Sequence, residues 1–591
     1  MKQKLREIWG KTDDIIVRYP LVLTMALIGA LSVVTAIDLE GPTNPFAIIR
    51  LIIVSLLGIS VMFAIKMLSQ RIGKGFLLEV IGVLFLAGYY FILPSTEKEF
   101  TEVYAYLLIP TYILSHLLVS FIPYLVKNRE MRFWQYNKNL FINIFLTAVF
   151  TGVLVGGVML AILAVDKLFD LNFDDKLYPK TFFFLAIFGS CLIFLLFNDR
   201  GLPQLEQDGS YPQILKFFTQ FVLIPLLIIY SVILYFYSVK ILINWELPRG
   251  WVSYLILAYS VVGILALLLV HPLKGDNTKS WVKLFSRIFY FTLIPLLVLL
   301  FVAINTRILE YGYTEPRYFV LLLALWLSSV VLYFIVVKNA TIKFIPVSLF
   351  VFGLFALIFP YFNAFSVAKR SQKGELEKVL NQNQLLENGK INFTKKVSDT
   401  VADEVADKFN FLAERKEQEF LIKYLNNTQK TDFQKEFSDS RYPNVTGVIR
   451  GYFKNTVNTK NASLWMNRLE LVPKNSAVSV EGYDYVAKIN LLNEAATING
   501  DQFTIENKLG AKNPTLKIIL NESASADFAP YILQTLKKYE SRTGKIVVDD
   551  LSSEATIGKY QVKIVFENLV QENFQQKNRY YNDAFIMIRE N

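Results

Sequence analysis

PLVLTMALIGALSVVTAI, the run from Pro20 to Ile37, decides the fold. It carries no charge, and at about 1.5 Å per helical residue it reaches close to the ~30 Å hydrocarbon thickness of a bilayer. Ten similar runs follow, near Phe46 to Leu68, Gly75 to Pro94, Val103 to Val126, Leu140 to Val165, Thr181 to Phe197, Leu215 to Tyr237, Trp251 to His271, Ile288 to Ile304, Tyr318 to Val337 and Ile342 to Phe365. A polar segment from Ser366 to Asn591 completes the chain. The fold class expected is therefore a membrane all-α bundle of about 11 transmembrane helices followed by a C-terminal soluble α+β domain.

Composition agrees with that class and removes others. The chain is 53% hydrophobic with a mean hydropathy of +0.37, too apolar for one soluble globule. Lys and Arg outnumber Asp and Glu by 61 to 50, but the excess is spread over short loops, so no nucleic-acid footprint is gathered. Cys191 is the only cysteine, which excludes an intramolecular disulfide. The two histidines, His116 and His271, both precede the tail, so a His-dependent hydrolase or His-ligated metal there is excluded. No cofactor or metal is expected, and the lipid bilayer is the one partner the composition requires.

Charge sets the expected orientation. Lys2, Lys4, Arg6, Lys11 and Arg18 precede the first run, which reads as a retained signal anchor. Arg71 and Lys74, then Lys127, Arg129, Arg132 and Lys138, then Lys274, Lys279, Lys283 and Arg287 mark alternate connections that face the cytoplasm by the positive-inside rule. Asp38-Leu39-Glu40, Glu97-Lys98-Glu99 and the stretch from Asp166 to Lys176 face outward. An odd number of crossings places the tail outside, in the periplasm of a cell with two membranes. The divisions expected are a cytoplasmic segment over 1–18, a transmembrane domain over 19–365, a helical connector over 366–440 and an extracytoplasmic α+β domain over 441–591.

Two-helix repeats are expected within 139–338. Tyr178-Pro179-Lys180, Leu247-Pro248-Arg249 and Glu315-Pro316-Arg317 recur at a spacing of 248 − 179 = 69 and 316 − 248 = 68 residues. Phe221 to Leu227 is echoed by Phe291 to Leu297, so Pro225 and Pro295 are candidate helix breaks. A proline in the first turn of a helix with a snorkelling cation beside it explains the first pattern without duplication.

The third hairpin reads Arg307-Ile308-Leu309-Glu310-Tyr311-Gly312-Tyr313-Thr314-Glu315-Pro316-Arg317-Tyr318 and leads to Leu325-Trp326. Together with Ser371-Gln372, Leu376 to Leu380, Leu385 to Ile391 and Gly482-Tyr483-Asp484-Tyr485, this resembles the bacterial membrane family designated domain of unknown function 4153. The resemblance covers about the second half of the chain. It implies a polytopic inner-membrane protein and supplies no catalytic residues.

Arg307, Glu310, Glu315, Arg317 and Tyr318, with Tyr311 and Tyr313, form a candidate site for an anionic lipid headgroup, an envelope-protein ligand or the tail itself. An interfacial girdle of tyrosines and paired charges is the plain alternative. His116, between Ser115 and Ser120, is a candidate intramembrane polar site, since ionisable groups are costly in hydrocarbon; a neutral imidazole bonded to another helix would also serve. Gly152 and Gly156 read as a helix-packing face. Asp38 and Glu40 have the placement, in a much shorter loop, of carboxylates in membrane-embedded glycosyltransferases.

In the tail, a short helix is expected from Ser371 to Leu386, ended by Asn388-Gly389. A second helix is marked by Val397, Val401, Val405, Phe409 and Leu412. A strand is expected from Tyr483 to Leu491 with a break at Glu481-Gly482, and a hairpin turn at Asn499-Gly500. Leu516 to Leu520, Tyr560 to Phe566 and Phe585 to Ile588 read as further strands, and Tyr531 to Tyr539 as a helix. With no catalytic residues to assign, the chain reads as a non-enzymatic scaffold, sensor or envelope assembly factor. The alternatives are a lipid or solute translocator using a groove between the repeated hairpins, and a membrane-embedded glycosyltransferase-like enzyme.

Overall fold

The computed structural model describes residues 13–39, 46–125, 130–207, 213–244, 251–274, 280–439, 443–453, 456–457, 468–475, 478–490, 495–509, 515–539, 544–573, 577–581 and 583–590. Two compact units emerge: Met1–Phe393 with Val405–Tyr452, and Thr394–Glu404 with Phe453–Asn591.

Among the described residues, ten helices of the first unit are long and apolar enough to cross a membrane. They are α1 (Pro20–Asp38), α2 (Phe46–Ile72), α3 (Gly75–Ile92), α4 (Glu102–Tyr124, opened and closed by 3-10 turns), α5 (Glu130–Phe169), α6 (Leu177–Leu196), α7 (Lys216–Ile241), α8 (Trp251–Val270), α9 (Ser280–Tyr311) and α10 (Glu315–Val336). The eleventh, α11 (Phe344–Ile358), has 15 residues and spans only about 22 Å. It ends well before the expected Phe365 because Phe359 precedes Pro360 and is held extended, with ψ 117°. The chain then turns, and the Asn363 side chain accepts from the Ser366 N–H at 2.8 Å to start α12 (Ala364–Gln382).

Helix α5 begins ten residues before the expected Leu140. Its polar first turns are satisfied by neighbours: Asn139 Nδ2 donates to the Leu205 carbonyl at 2.8 Å and Asn143 Nδ2 to Asn198 Oδ1 at 2.9 Å. Arg50 of α2 is buried, with Nε and Nη2 on the Tyr90 carbonyl at 3.2 and 2.9 Å near the end of α3. That carbonyl is among the last four of its helix, which lack intrahelical partners.

Two apolar cores hold the bundle. One gathers Tyr19, Leu57, Met67, Tyr136 and Leu195 from the first half, and the other Ile224, Ile256, Phe289, Leu293 and Leu327 from α7 to α10. Trp134 Nε1 joins them by donating to the Leu268 carbonyl at 2.8 Å, and Glu130 lies 3.2 Å from His271 Nε2 while accepting from the Ile342 N–H. Gly263 of α8 abuts the buried Phe289 ring, 2.1 Å from where a Cβ would stand.

After α12 the chain forms a hairpin of β1 (Leu386–Glu387) and β2 (Lys390–Ile391). The expected helix to Leu386 is thus shorter, and Asn388-Gly389 is the hairpin turn, with φ of 51° and 74°. Next come β3 (Val397–Ser398) and α13 (Asp399–Glu414), so Val397 belongs to a strand and not to the helical stripe. Helices α14 (Asn427–Asp439) and α15 (Val445–Tyr452) close the first unit, and α13 gives its first residues, up to Glu404, to the second.

Among the described residues, the second unit pairs β3 with β4 (Thr456–Val457) and adds three four-stranded sheets. The first sheet orders β10 (Ala524–Asp527), β9 (Leu516–Leu520), β8 (Asp501–Asn507) and β7 (Ala495–Ile498), all antiparallel. The second joins β11 (Gly544–Val548), parallel to β5 (Arg468–Pro473), with β14 (Leu569–Asn573) and β15 (Lys577–Tyr580). The third orders β12 (Ser552–Ile557), β13 (Tyr560–Phe566), β16 (Asp583–Glu590) and β6 (Tyr485–Asn490). With α16 (Ala529–Lys538), they enclose a core of Leu469, Phe503, Ile518, Ile532 and Phe566. Asn499-Gly500 turns β7 into β8 with both φ positive. The strand expected from Tyr483 starts at Tyr485, after a turn in which Gly482 has φ 81°; Leu491 lies outside the described residues.

Because no room exists for a Cβ at Gly263, Gly263→Val is expected to cost about 1–3 kcal/mol by overpacking. Thermal unfolding in detergent measures it, and Gly88→Val, where nothing stands within 4 Å, is expected to leave the midpoint unchanged.

Candidate functional site

The turn from α9 to α10 contains most of the charged and aromatic residues singled out in the sequence. Gly312 is required there: its φ is 73°, and a Cβ would meet Ser371 Oγ and Glu375 Cγ, both at 2.8 Å. Against this turn lies α12. The Tyr313 N–H donates to Ser371 Oγ at 2.8 Å, and Gln372 Nε2 donates to the Tyr311 and Tyr313 carbonyls, each at 2.9 Å. Ser371-Gln372 and the hairpin sequence, separate motifs in the chain, are thus two halves of one contact.

Glu315 is completely buried, and its carboxylate is gripped bidentately by Arg415 just beyond α13. Nε meets Oε1 at 2.8 Å and Nη2 meets Oε2 at 2.7 Å, the fork geometry that suits guanidinium to carboxylate. Arg415 also donates from Nη1 to the Phe411 carbonyl at 2.8 Å, and its guanidinium lies 3.3 Å from the Phe411 ring centroid. Two flanking carboxylates behave oppositely. Burial, with Glu102 and Glu315 nearby, raises the Glu414 pKa although Asn410 bonds it. Burial would raise Glu417 too, but Lys373 at 2.6 Å and Lys369 at 3.0 Å prevail and hold it below the usual range.

The other residues of this group divide. Arg317 Nη1 donates to the Tyr311 and Gly312 carbonyls at 3.1 and 2.8 Å, and the Tyr318 hydroxyl to the Phe362 carbonyl at 2.7 Å. Arg307 and Glu310 remain exposed beside Tyr311. Arg415 was not singled out in the sequence. Its only signal was the charged run Glu414-Arg415-Lys416-Glu417 immediately after the apolar stripe of α13.

The remaining candidates are scattered. Pro295 lies within the unbroken α9, and Pro225 follows a π turn at Thr219–Leu223, so the chain stays helical through both. Near Pro295 the Tyr235 hydroxyl donates to the Thr292 carbonyl at 2.7 Å, a neighbour's donor serving a backbone group beside a proline. Pro179 and Pro316 both sit in first helical turns, and Pro248 lies outside the described residues. Asp38 pairs with Lys180, while Glu40 is outside the described residues. His116 Nδ1 meets the Tyr112 carbonyl of its own helix at 2.8 Å, and the ring lines a cavity of about 490 Å³. Gly152 and Gly156 face open space instead of a helix.

These features define a multi-span membrane protein with a mixed α/β tail. The chain belongs to the family of domain of unknown function 4153 (DUF4153), whose model matches residues 23–391. It is also similar to an uncharacterized protein of Pasteurella multocida (strain Pm70), with 29% identity over 281 residues, 46% of each chain. The chain thus matches less than half the length of that relative. No solved structure matches.

Removing one partner of the buried pair strands the other. Arg415→Met is expected to cost about 3–5 kcal/mol, and the double variant Glu315→Leu/Arg415→Met to recover most of it. Thermal unfolding of the full chain reads both; equal losses in the single and double variants contradict the stranded-charge account. The flanking pair adds a pH dependence with two signs. Stability from Glu414 is complete below its unfolded pKa and declines as pH rises through its elevated folded value. That from Glu417 is complete above its unfolded pKa and declines as pH falls through its depressed one. Glu414→Gln is expected to abolish the first decline and Glu417→Gln the second in pH-resolved unfolding.

Proposed function

We propose that this protein is a non-enzymatic scaffold or sensor of the bacterial inner membrane, with its N-terminus in the cytoplasm and its tail on the extracytoplasmic side. The observation that carries the reading is the Glu315–Arg415 pair, with Ser371-Gln372 beside it. Charged and polar groups that a site for chemistry would aim at a substrate are here aimed at the chain itself. The contact ties α10 to the residues following α13, a helix that shares residues with both units. Load on the second unit therefore has a covalent route to Arg415, which is what a sensor needs. Support for the orientation is the distribution of cations among the connections, and the odd parity it needs counts the 15-residue α11 as the eleventh crossing.

Two measurements test this. A periplasm-active phosphatase fused after Asn591 is expected to be active and one fused before Met1 inactive; the reverse pattern refutes the orientation. In cells deleted for the protein and scored for detergent sensitivity, Arg415→Met is expected to fail to complement while Asp38→Asn complements fully. Loss of complementation by Asp38→Asn with Arg415→Met unaffected favours the transferase-like alternative.

A further inference from the structure

The cavity beside His116 lies among α1, α2, α4, α5 and α6, and Ser60 at the middle of α2 marks its depth. Among the described residues its lining contains no Asp, Glu, Lys or Arg. A charged headgroup would have no counter-ion there, so the occupant is uncharged. Phe63, Phe141 and Phe194 line the walls, where a flat ring stacks well.

The polar groups define the occupant further. Ser60, Ser120 and Ser190 spend their hydroxyl protons on helix carbonyls or, for Ser60, on Ser115. Asn137 Nδ2 donates to the Ser120 and Phe133 carbonyls, which leaves Oδ1 as an acceptor. His116 Nδ1 faces a carbonyl and so donates to it, which leaves Nε2, where it carries no proton, as a second acceptor. Thr147, only 8% exposed, has a buried hydroxyl with no partner among the described residues. Among the described residues, one donor and two acceptors of this cavity lack partners, a set that matches hydroxyl groups, which both give and accept; the Thr151 hydroxyl at the adjoining opening lacks a partner too.

A second opening of about 640 Å³ shares Ala186 and Ser190 with this cavity and runs along Thr151, Gly152, Gly156 and Met159. No atom stands within 4 Å of a Cβ at Gly152 or Gly156, so the glycines leave a channel for a hydrocarbon tail. We propose that this is a binding site for a prenylated quinol, with the dihydroxy ring in the His116 cavity and the tail over the glycines.

The test is isothermal titration of the full chain in detergent, under anaerobic conditions, with a decyl-tailed benzoquinol. Saturable binding about tenfold tighter than that of the matching benzoquinone is expected, since the quinone brings no proton for His116 Nε2 or Asn137 Oδ1. Thr147→Val and His116→Leu are each expected to weaken binding about tenfold. Gly156→Leu has room to fold and is expected to abolish it, whereas Gly157→Leu, off the lining, leaves it intact. The proposal is overturned by absence of saturable binding, by equal affinity for quinol and quinone, by equal competition from dioleoylglycerol, or by binding unchanged in Gly156→Leu.

Discussion

Hydrocarbon supplies no hydrogen-bond partner, and most polar groups carried into it here find one within the chain. That constraint explains the bundle more completely than apolar packing does. Arg50 is tolerated because it meets the Tyr90 carbonyl near the end of α3, and Trp134 because its N–H meets the Leu268 carbonyl of α8. Serines and threonines along the spans bond back to carbonyls three or four residues earlier, as Thr111 does to Leu107 and Ser328 to Ala324. Even the prolines obey: α9 runs unbroken through Pro295, with Tyr235 donating to a nearby carbonyl.

The same logic, applied at the edge of the apolar region, accounts for the α9–α10 turn. Helix ends expose backbone groups. Here the carbonyls of Tyr311, Gly312 and Tyr313 are taken by Gln372 and Arg317, and the Tyr313 N–H by Ser371. Glu315, one residue into α10, is the costliest group of all and receives the strongest partner, a bidentate guanidinium.

What sequence made legible follows from range. Spans were readable because twenty apolar residues have one common solution in lipid, and Asn388-Gly389 and Asn499-Gly500 because positive φ is a local property. The start of α5 was hidden since Asn139, just before the expected Leu140, looks like a loop residue until the Leu205 carbonyl is seen beside it. The end of α11 was written in Pro360 but masked by the apolar Phe359, Tyr361 and Phe362 around it. Glu315 was visible as a charge, yet its partner was not, for no periodicity links residues 100 positions apart. His116 was visible as an anomaly, while the cavity around it needs five helices to exist.

That separation of 100 residues also imposes an order on biogenesis. A ribosome delivers Glu315 to the insertion machinery well before Arg415 has been translated. Until then the carboxylate has no counter-charge and must linger at the aqueous boundary, so the tenth helix cannot settle to its final depth. Seating of that hairpin is consequently a late event, completed only once the segment beyond α13 has been made and has folded back.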